Sequence, residues 1–335
     1  MFNTLIVGIL FGCASVSSYQ VIPVSSSPLI GASASTFWDC VTKNVYYGDY
    51  FGSGTGPVLF RYDWVANIHY SASIQGYSGG VSNLIPMSCA PNQFVAVLGS
   101  CAAAVYWDGF SATAIKLREI FCVDQNFANH VVTYAKADPK RRLFSGTAQV
   151  SYCDGKVPAE SSLYRYDRLQ GVVRNFGGLR ASSAMDWNIL TGHFYHKDVC
   201  QHNIMEYKWS PFTGELTNGR SIFQFTNETS VANGMVIDKF GMLYVTLYNA
   251  SSVVKIDPRT STTVETYMLP ARFPTSITFC GPLLDSLCVN TGNVAVDTNT
   301  GSIAKESITP SDGKLYMIKG LSTSARGHCD RKVCL

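Results

Sequence analysis

The chain has no run of lysine and arginine longer than Lys140-Arg141-Arg142 and no stripe in which basic and aromatic residues interleave. Its 335 residues carry a formal net charge of only +3, so the footprint of a nucleic-acid binder is missing and nucleic acid is not the expected partner. It has no Cys-x-x-Cys and no Cys/His cluster at zinc-finger spacing, which removes structural zinc. There is no Gly-x-Ser-x-Gly nucleophile elbow and no phosphate loop. Low-complexity tails are absent. So is any sustained helical period after residue 18, although Ala112–Phe121 (ATAIKLREIF) admits a helical turn or a strand. The apolar stretch in MFNTLIVGILFGCASVSS at Met1–Ser18 holds about ten residues, too few to span a bilayer.

That stretch ends in small residues and reads as a secretory signal peptide, with an N-terminal strand as the alternative. Its n-region lacks Lys and Arg, and bulky Phe11 sits badly for a lipoprotein site at Cys13. Cleavage near Ser18 or Tyr19 leaves 19–335 as the mature chain, predicted to be secreted and not bound to a membrane. Eleven cysteines occur. Cys13 departs with the signal, and an even set remains: Cys40, Cys89, Cys101, Cys122, Cys153, Cys200, Cys280, Cys288, Cys329 and Cys334. In this context such a set predicts disulfides; thiols buried singly in the core are the alternative. Connectivity does not follow from spacing. The closest pairs suggest a bridge across the Cys280/Cys288 hairpin and a Cys329/Cys334 bridge that ties down the C-terminus. Asn227-Glu228-Thr229 and Asn249-Ala250-Ser251 are glycosylation acceptors that fit secretion.

What the chain has in quantity is a repeated phrase. It reads FWDCVTKNVYYGDYF at Phe37–Phe51, KADPKRRLFSGTA at Lys136–Ala148, AMDWNILTGHFYHKD at Ala184–Asp198 and MVIDKFGMLYVTLYN at Met235–Asn249. Each has an Asp, a polar turn and an aromatic-rich strand. A second strand follows: LFRYD, SLYRYD, IMEYKW, VVKIDP. Asp39, Asp138, Asp186 and Asp238 stand about 99, 48 and 52 residues apart, and a period near 50 indicates a β-propeller blade. The first gap holds two units, one of them drifted. Gly- and Pro-rich turns between Val-, Ile-, Tyr- and Phe-rich strands make the chain all-β. The prediction is a single six-bladed β-propeller over 19–335, stapled by disulfides, with the last strand closing a blade with the first. Ligands of such a ring sit at one mouth of its channel. The four recurring Asp residues read as turn-capping scaffold.

The stretch from about Lys136 to Gly327 resembles the SMP-30/gluconolactonase family of regucalcin-like and luciferin-regenerating-enzyme-like proteins. KADPKRRLFSGT, SSLYRYD, SSAMDWN, ANGMVIDKFGMLYVTLYN, VVKIDP, LPARFPTSITFCGPLLDSLCV and DGKLYMIKG carry the resemblance in the family's order. FWD and LFRYD extend it more weakly into the N-terminal third. The resemblance implies a six-bladed propeller with one divalent cation at the channel mouth, serving lactone hydrolysis in most members. The family's ligands are a Glu, two Asn and an Asp. Their positions fall here on Ala34, Thr133, Ser183 and Asn233. Both carboxylates are gone, and a hard divalent cation needs charged oxygen ligands to offset its lost hydration. The expectation is no metal, no cofactor and no metal-assisted hydrolysis at that site.

Ala34, Thr133, Ser183 and Asn233 are therefore predicted to line a neutral mouth suited to a small organic molecule. Tyr134 and Phe127 lie nearby, with core packing as the expected fate of each. Of the six histidines, His69, His130, His193, His196, His202 and His328, His130 is the candidate general acid or base, because imidazole titrates near neutrality. A plain loop histidine is the competing reading. His193 and His196 should point to opposite strand faces and be exposed. Three functions remain: a secreted propeller that binds an organic guest, a repurposed metal-independent enzyme such as a luciferase-type oxidoreductase, and a residual lactone hydrolase. Oligomeric state does not follow from the sequence.

Overall fold

Strands rich in Val, Ile, Tyr and Phe pair with their sequence neighbours through short turns. The structure is a computed structural model that describes residues 19–52, 54–127, 130–149, 153, 158–226, 231–295, 308–322 and 325–335. The predicted signal segment and Asn227 lie outside the described residues. In chain order the strands are β1 (Gln20–Pro23), then β2 (Thr36–Asp39), β3 (Asn44–Gly48), β4 (Leu59–Asp63) and β5 (Ile68–Ile74). Next come β6 (Val81–Pro86), β7 (Gln93–Leu98), β8 (Cys101–Tyr106) and β9 (Thr113–Cys122). Then follow β10 (His130–Ala137), β11 (Leu143–Gln149), β12 (Ser161–Asp167), β13 (Gly171–Leu179), β14 (Ser182–Asn188), β15 (His193–Asp198), β16 (Asn203–Trp209) and β17 (Leu216–Gln224). The last are β18 (Val231–Ile237), β19 (Leu243–Tyr248), β20 (Ser252–Asp257), β21 (Thr262–Met268), β22 (Pro274–Cys280), β23 (Ser286–Thr291) and β24 (Leu315–Lys319). The segment that admitted a helical turn is strand β9.

Strands β10–β13, β14–β17 and β18–β21 each form a four-stranded antiparallel meander. A fourth sheet joins β22–β23–β24 to β1, with Gln20 opposite Lys319, so the first strand completes the last sheet as expected. The remaining strands form one eight-stranded sheet, in which the meanders β2–β5 and β6–β9 meet through parallel pairing of Ser73 with Thr113 and Ile74 with Ala114. The first strands of the meanders pack in a closed cycle: β2 on β6, β6 on β10, β10 on β14, β14 on β18, β18 on β22, and β22 on β2. This is a propeller-like ring. Its central strands β6, β22 and β23 are buried along their whole length, whereas the outer β9, β17 and β21 are largely exposed. Apolar cores lie between neighbouring sheets; one joins Ala184, Tyr195 and Ile204 to Met235, Leu243 and Val254.

Most turns at one end of the ring are shaped by an Asp side chain. Asp39, Asp138 and Asp238 accept the backbone N–H two residues on, from Val41 at 3.0 Å, Lys140 at 2.8 Å and Phe240 at 2.8 Å. Asp63, Asp108, Asp167 and Asp257 do the same. Asp186 breaks the predicted equivalence. Its carboxylate accepts from Ile237 N of the next sheet at 2.9 Å, and Asn188 caps the turn instead, accepting from Leu190 N at 3.1 Å.

Four disulfides join Cys40 to Cys329, Cys101 to Cys122, Cys153 to Cys200 and Cys280 to Cys288. The hairpin bridge is as expected. The suggested Cys329–Cys334 bridge is corrected: Cys329 turns into the ring to meet Cys40, and Cys89 and Cys334 carry thiols.

Candidate functional site

Each of five first strands carries a β-bulge near its start. The pairing register skips across Val81/Leu84, Val132/Tyr134, Ser182/Ala184, Ala232/Met235 and Pro274/Ser276. A bulge leaves the extra residue out of the ladder and re-aims its side chain. The residues so released in the last four strands include Thr133, Ser183, Asn233 and Thr275. All four line one cavity at the ring's axis, of about 200 Å³, with Ala34 beside them. Gly234 makes the Ala232/Met235 bulge of β18 possible. A Cβ there would come within 2.8 Å of Ser276 Cα and 2.9 Å of Thr275 O, so only glycine lets β18 lie this close to β22.

The four residues Ala34, Thr133, Ser183 and Asn233 are thus brought together as the sequence predicts. Sequence reasoning missed Thr275, because the last repeat is spaced more closely than the earlier ones. It also missed Gln149, Tyr50 and Tyr248, which reach the cavity from the ends of second strands and the loops after them. Apart from Ser33 and Ser182, the rest of the wall is apolar, chiefly Val131, Val199, Val231 and Val294 with Phe51. Among the described lining residues there is no Asp, Glu, His, Cys, Lys or Arg.

Most hydroxyl protons of the lining are spent on the fold. Thr133 Oγ1 donates to Ser182 O at 2.5 Å, Ser183 Oγ to Lys197 O at 3.3 Å, and Thr275 Oγ1 to Asn290 O at 3.3 Å. Tyr248 OH donates to Val294 O at 3.0 Å. The carboxamides of Asn233 and Gln149 have no hydrogen-bond partner among the described residues, so each offers donors and an acceptor to a guest. Two carboxylates stand behind the rim and shape it. Asp49 accepts from the backbone N–H of Gly31, Ala32 and Phe51 at 3.0, 3.2 and 3.0 Å. Asp198 accepts in the same way from Arg180, Ala181 and Cys200, at 2.8, 3.1 and 3.0 Å.

His130 is not a cavity residue, and it is not in a loop. It begins β10 with a buried side chain, stacks on Phe127 and places Nδ1 3.4 Å from Asp124 Oδ2. Asp124 is shared with the Thr147 hydroxyl at 2.6 Å and the Tyr164 phenol, and His130 Nε2 has no hydrogen-bond partner among the described residues. Strand alternation explains the correction: Val131 and Thr133 face the axis, and His130 faces away. Tyr134 is core as expected, but Phe127 is 42 % exposed. His196 is not exposed either. It is buried with Nε2 2.9 Å from Ser182 Oγ, and burial pushes its pKa down to about 3, helped by the Lys197 charge. Lys197 is itself lowered to about 7 by burial, partly offset by Asp198. Asn249 sits in the exposed turn after β19 with φ of 64°. Among the described residues the one three-membered group of metal-capable side chains is Cys101, Glu119 and Cys122, and its two sulfurs are bonded to each other.

The profile of the SMP-30/Gluconolactonase/LRE-like region matches residues 36–293. The chain is 28 % identical to regucalcin of Gallus gallus over 229 residues, covering 68 % of this chain and 73 % of that protein. It is 25 % identical to regucalcin of Xenopus laevis over 268 residues, covering 80 % and 85 %. Among solved structures, a luciferin-regenerating enzyme superposes with a TM-score of 0.84 at 24 % identity, over 95 % of this chain and all of that one. A calcium-binding protein, regucalcin, from Agrobacterium tumefaciens superposes with a TM-score of 0.76 at 13 % identity, over 95 % and 98 %.

Proposed function

This chain belongs to the SMP-30/gluconolactonase/LRE-like family, and we propose that within it the chain is a secreted six-bladed propeller that binds a small neutral organic molecule at its axis. The eight-stranded sheet counts as two blades, because its two meanders share only the pairing at Ser73 and Ile74. The observation that carries the binding reading is the lining of the cavity. It holds Ala34, Thr133, Ser183 and Asn233 where the sequence resemblance places metal ligands.

That donor set does not fit a divalent cation. The Ala34 side chain has no donor atom. The Thr133 and Ser183 oxygens are neutral and already engaged with backbone carbonyls. Without carboxylates the cost of stripping water from the ion is not recovered. The same lining suits an uncharged guest. Valine and aromatic walls supply apolar contact, and the Asn233 and Gln149 carboxamides supply orientation. A guest edge that carries a donor beside an acceptor, as in an amide or a hydroxy-ketone, matches the paired donor and acceptor of such a carboxamide. The described lining has no carboxylate, imidazole, thiol or amine to move a proton near neutral pH, which favours binding over acid–base chemistry.

The test is native mass spectrometry of the chain recovered from its own source. The expected result is an organic mass increment that survives chelator, is lost on denaturation and is depleted in Asn233→Ala. Stoichiometric calcium or zinc, or lactone hydrolysis abolished by chelator, would overturn the reading.

A further inference from the structure

We propose that Cys89 and Cys334 close a fifth disulfide, which together with Cys40–Cys329 fixes the C-terminal segment as a plug in the end of the ring opposite the cavity. The segment 325–335 crosses that end and is tied to almost every sheet in turn. Gly327 bridges to Asp238 and its N–H donates to Leu284 O at 2.8 Å. Asp330 accepts from Trp38 N at 2.8 Å and Thr278 Oγ1 at 2.6 Å, and it lies 3.7 Å from Lys136 Nζ. Lys332 pairs with Asp39 at 2.7 Å, and Arg168 donates to Leu335 O at 2.6 Å.

The last turn of this path sets the two thiols side by side. Val333 pairs in parallel with Met87, Ser88 N donates to Val333 O at 2.8 Å, and Val333 N donates to Pro86 O at 3.2 Å. Val333 and Leu335 are buried at 0 % and 3 %, so the backbone on the Cys334 side is held in place. Cys89 stands two residues beyond the Met87–Val333 bridge and Cys334 one residue beyond it, and the Cys89 thiol is close enough to Cys334 for its pKa to be raised in part by that neighbour. The other cysteines of the described chain are already paired, which leaves these two without a competing partner.

The chemistry is thiol–disulfide exchange with a small-molecule disulfide such as glutathione disulfide. Cys89 is the more exposed thiol, and as thiolate it attacks one sulfur of the oxidant. One oxidant thiolate leaves, and a mixed disulfide forms. The Cys334 thiolate then attacks the Cys89 sulfur and expels the second oxidant thiolate. Two protein thiols lose two protons and two electrons, and the oxidant becomes two thiols. Burial and the neighbouring Cys334 hold the Cys89 pKa above the usual thiol value, and the Arg168 charge offsets this only in part, so exchange should quicken as pH rises.

The experiment takes the full secreted chain, equilibrates it in a glutathione/glutathione disulfide buffer, denatures it in acid, and labels it with a maleimide before non-reducing peptide mapping. The expected result is no label on Cys89 or Cys334 and a crosslinked peptide that contains both. In Cys89→Ser, Cys334 should take up label while the other four bridges persist, and carboxypeptidase should trim the chain end faster. Full labelling of both cysteines in the unsubstituted chain, or either one bonded elsewhere, would overturn the proposal. This result is independent of what the cavity binds.

Discussion

His196 and His69 show how single buried side chains set the pH response. Burial lowers His196 to about 3 and His69 to about 4, both from an ordinary value of 6.5. In the unfolded chain both imidazoles take up protons below about 6.5, while the folded chain keeps them neutral. Stability should therefore be fully present above pH 6.5 and fall as pH drops toward 4 and 3. Each unit of separation is worth about 1.4 kcal/mol. Thermal midpoints measured from pH 7.5 to pH 4 should decline, and His196→Gln should flatten the decline; an unchanged slope in that variant contradicts the assignment. Residue types were partly legible in the sequence. Ala34, Thr133, Ser183 and Asn233 could be placed because a resemblance located them within repeats. His130 and His196 were misjudged because the face a strand residue takes, and whether a neighbouring sheet covers that face, is not marked by the residue itself.

At the scale of elements, the Asp turn and the bulge have separable energetics. Asp167 Oδ1 accepts from Leu169 N at 2.8 Å and Gln170 N at 2.7 Å, while the Leu169 side chain is 97 % exposed. Asp167→Ala should cost about 1 kcal/mol, and Leu169→Ser should stay within about 0.5 kcal/mol, both by denaturant unfolding. Gly234→Ala should cost about 1–3 kcal/mol, because the methyl meets backbone that cannot yield. At the plugged end, Lys136 bridges Asp186 at 3.0 Å and Asp330 at 3.7 Å. Burial opposes its charge, yet the two carboxylates outweigh burial and hold its pKa above the usual lysine value. Lys136→Met leaves both carboxylates uncompensated and should cost about 3–5 kcal/mol. The sequence showed that a turn follows each Asp. It did not show that Asn188 replaces Asp186 in that task, because AMDWN offers two capping residues two positions apart.

For the whole molecule, the roughly 50-residue period was enough to predict a ring of sheets closed by the first and last strands, and β1 pairing with β24 bears out that closure. The period could not reveal how the C-terminal segment fills the far end, since 325–335 belongs to no repeat and is placed by contacts from many sheets. Nor could it assign Cys329 to Cys40, whose sequence separation is 289. The central claim concerns the axis: a cavity without negative charge takes an uncharged guest in place of a cation. Titration calorimetry with calcium and with zinc tests this on two proteins side by side, the native chain and a variant carrying Ala34→Glu, Thr133→Asn, Ser183→Asn and Asn233→Asp. The account predicts only heat of dilution for the native chain and one bound ion for the variant. One ion bound by the native chain, and lost in Asn233→Ala, would contradict it.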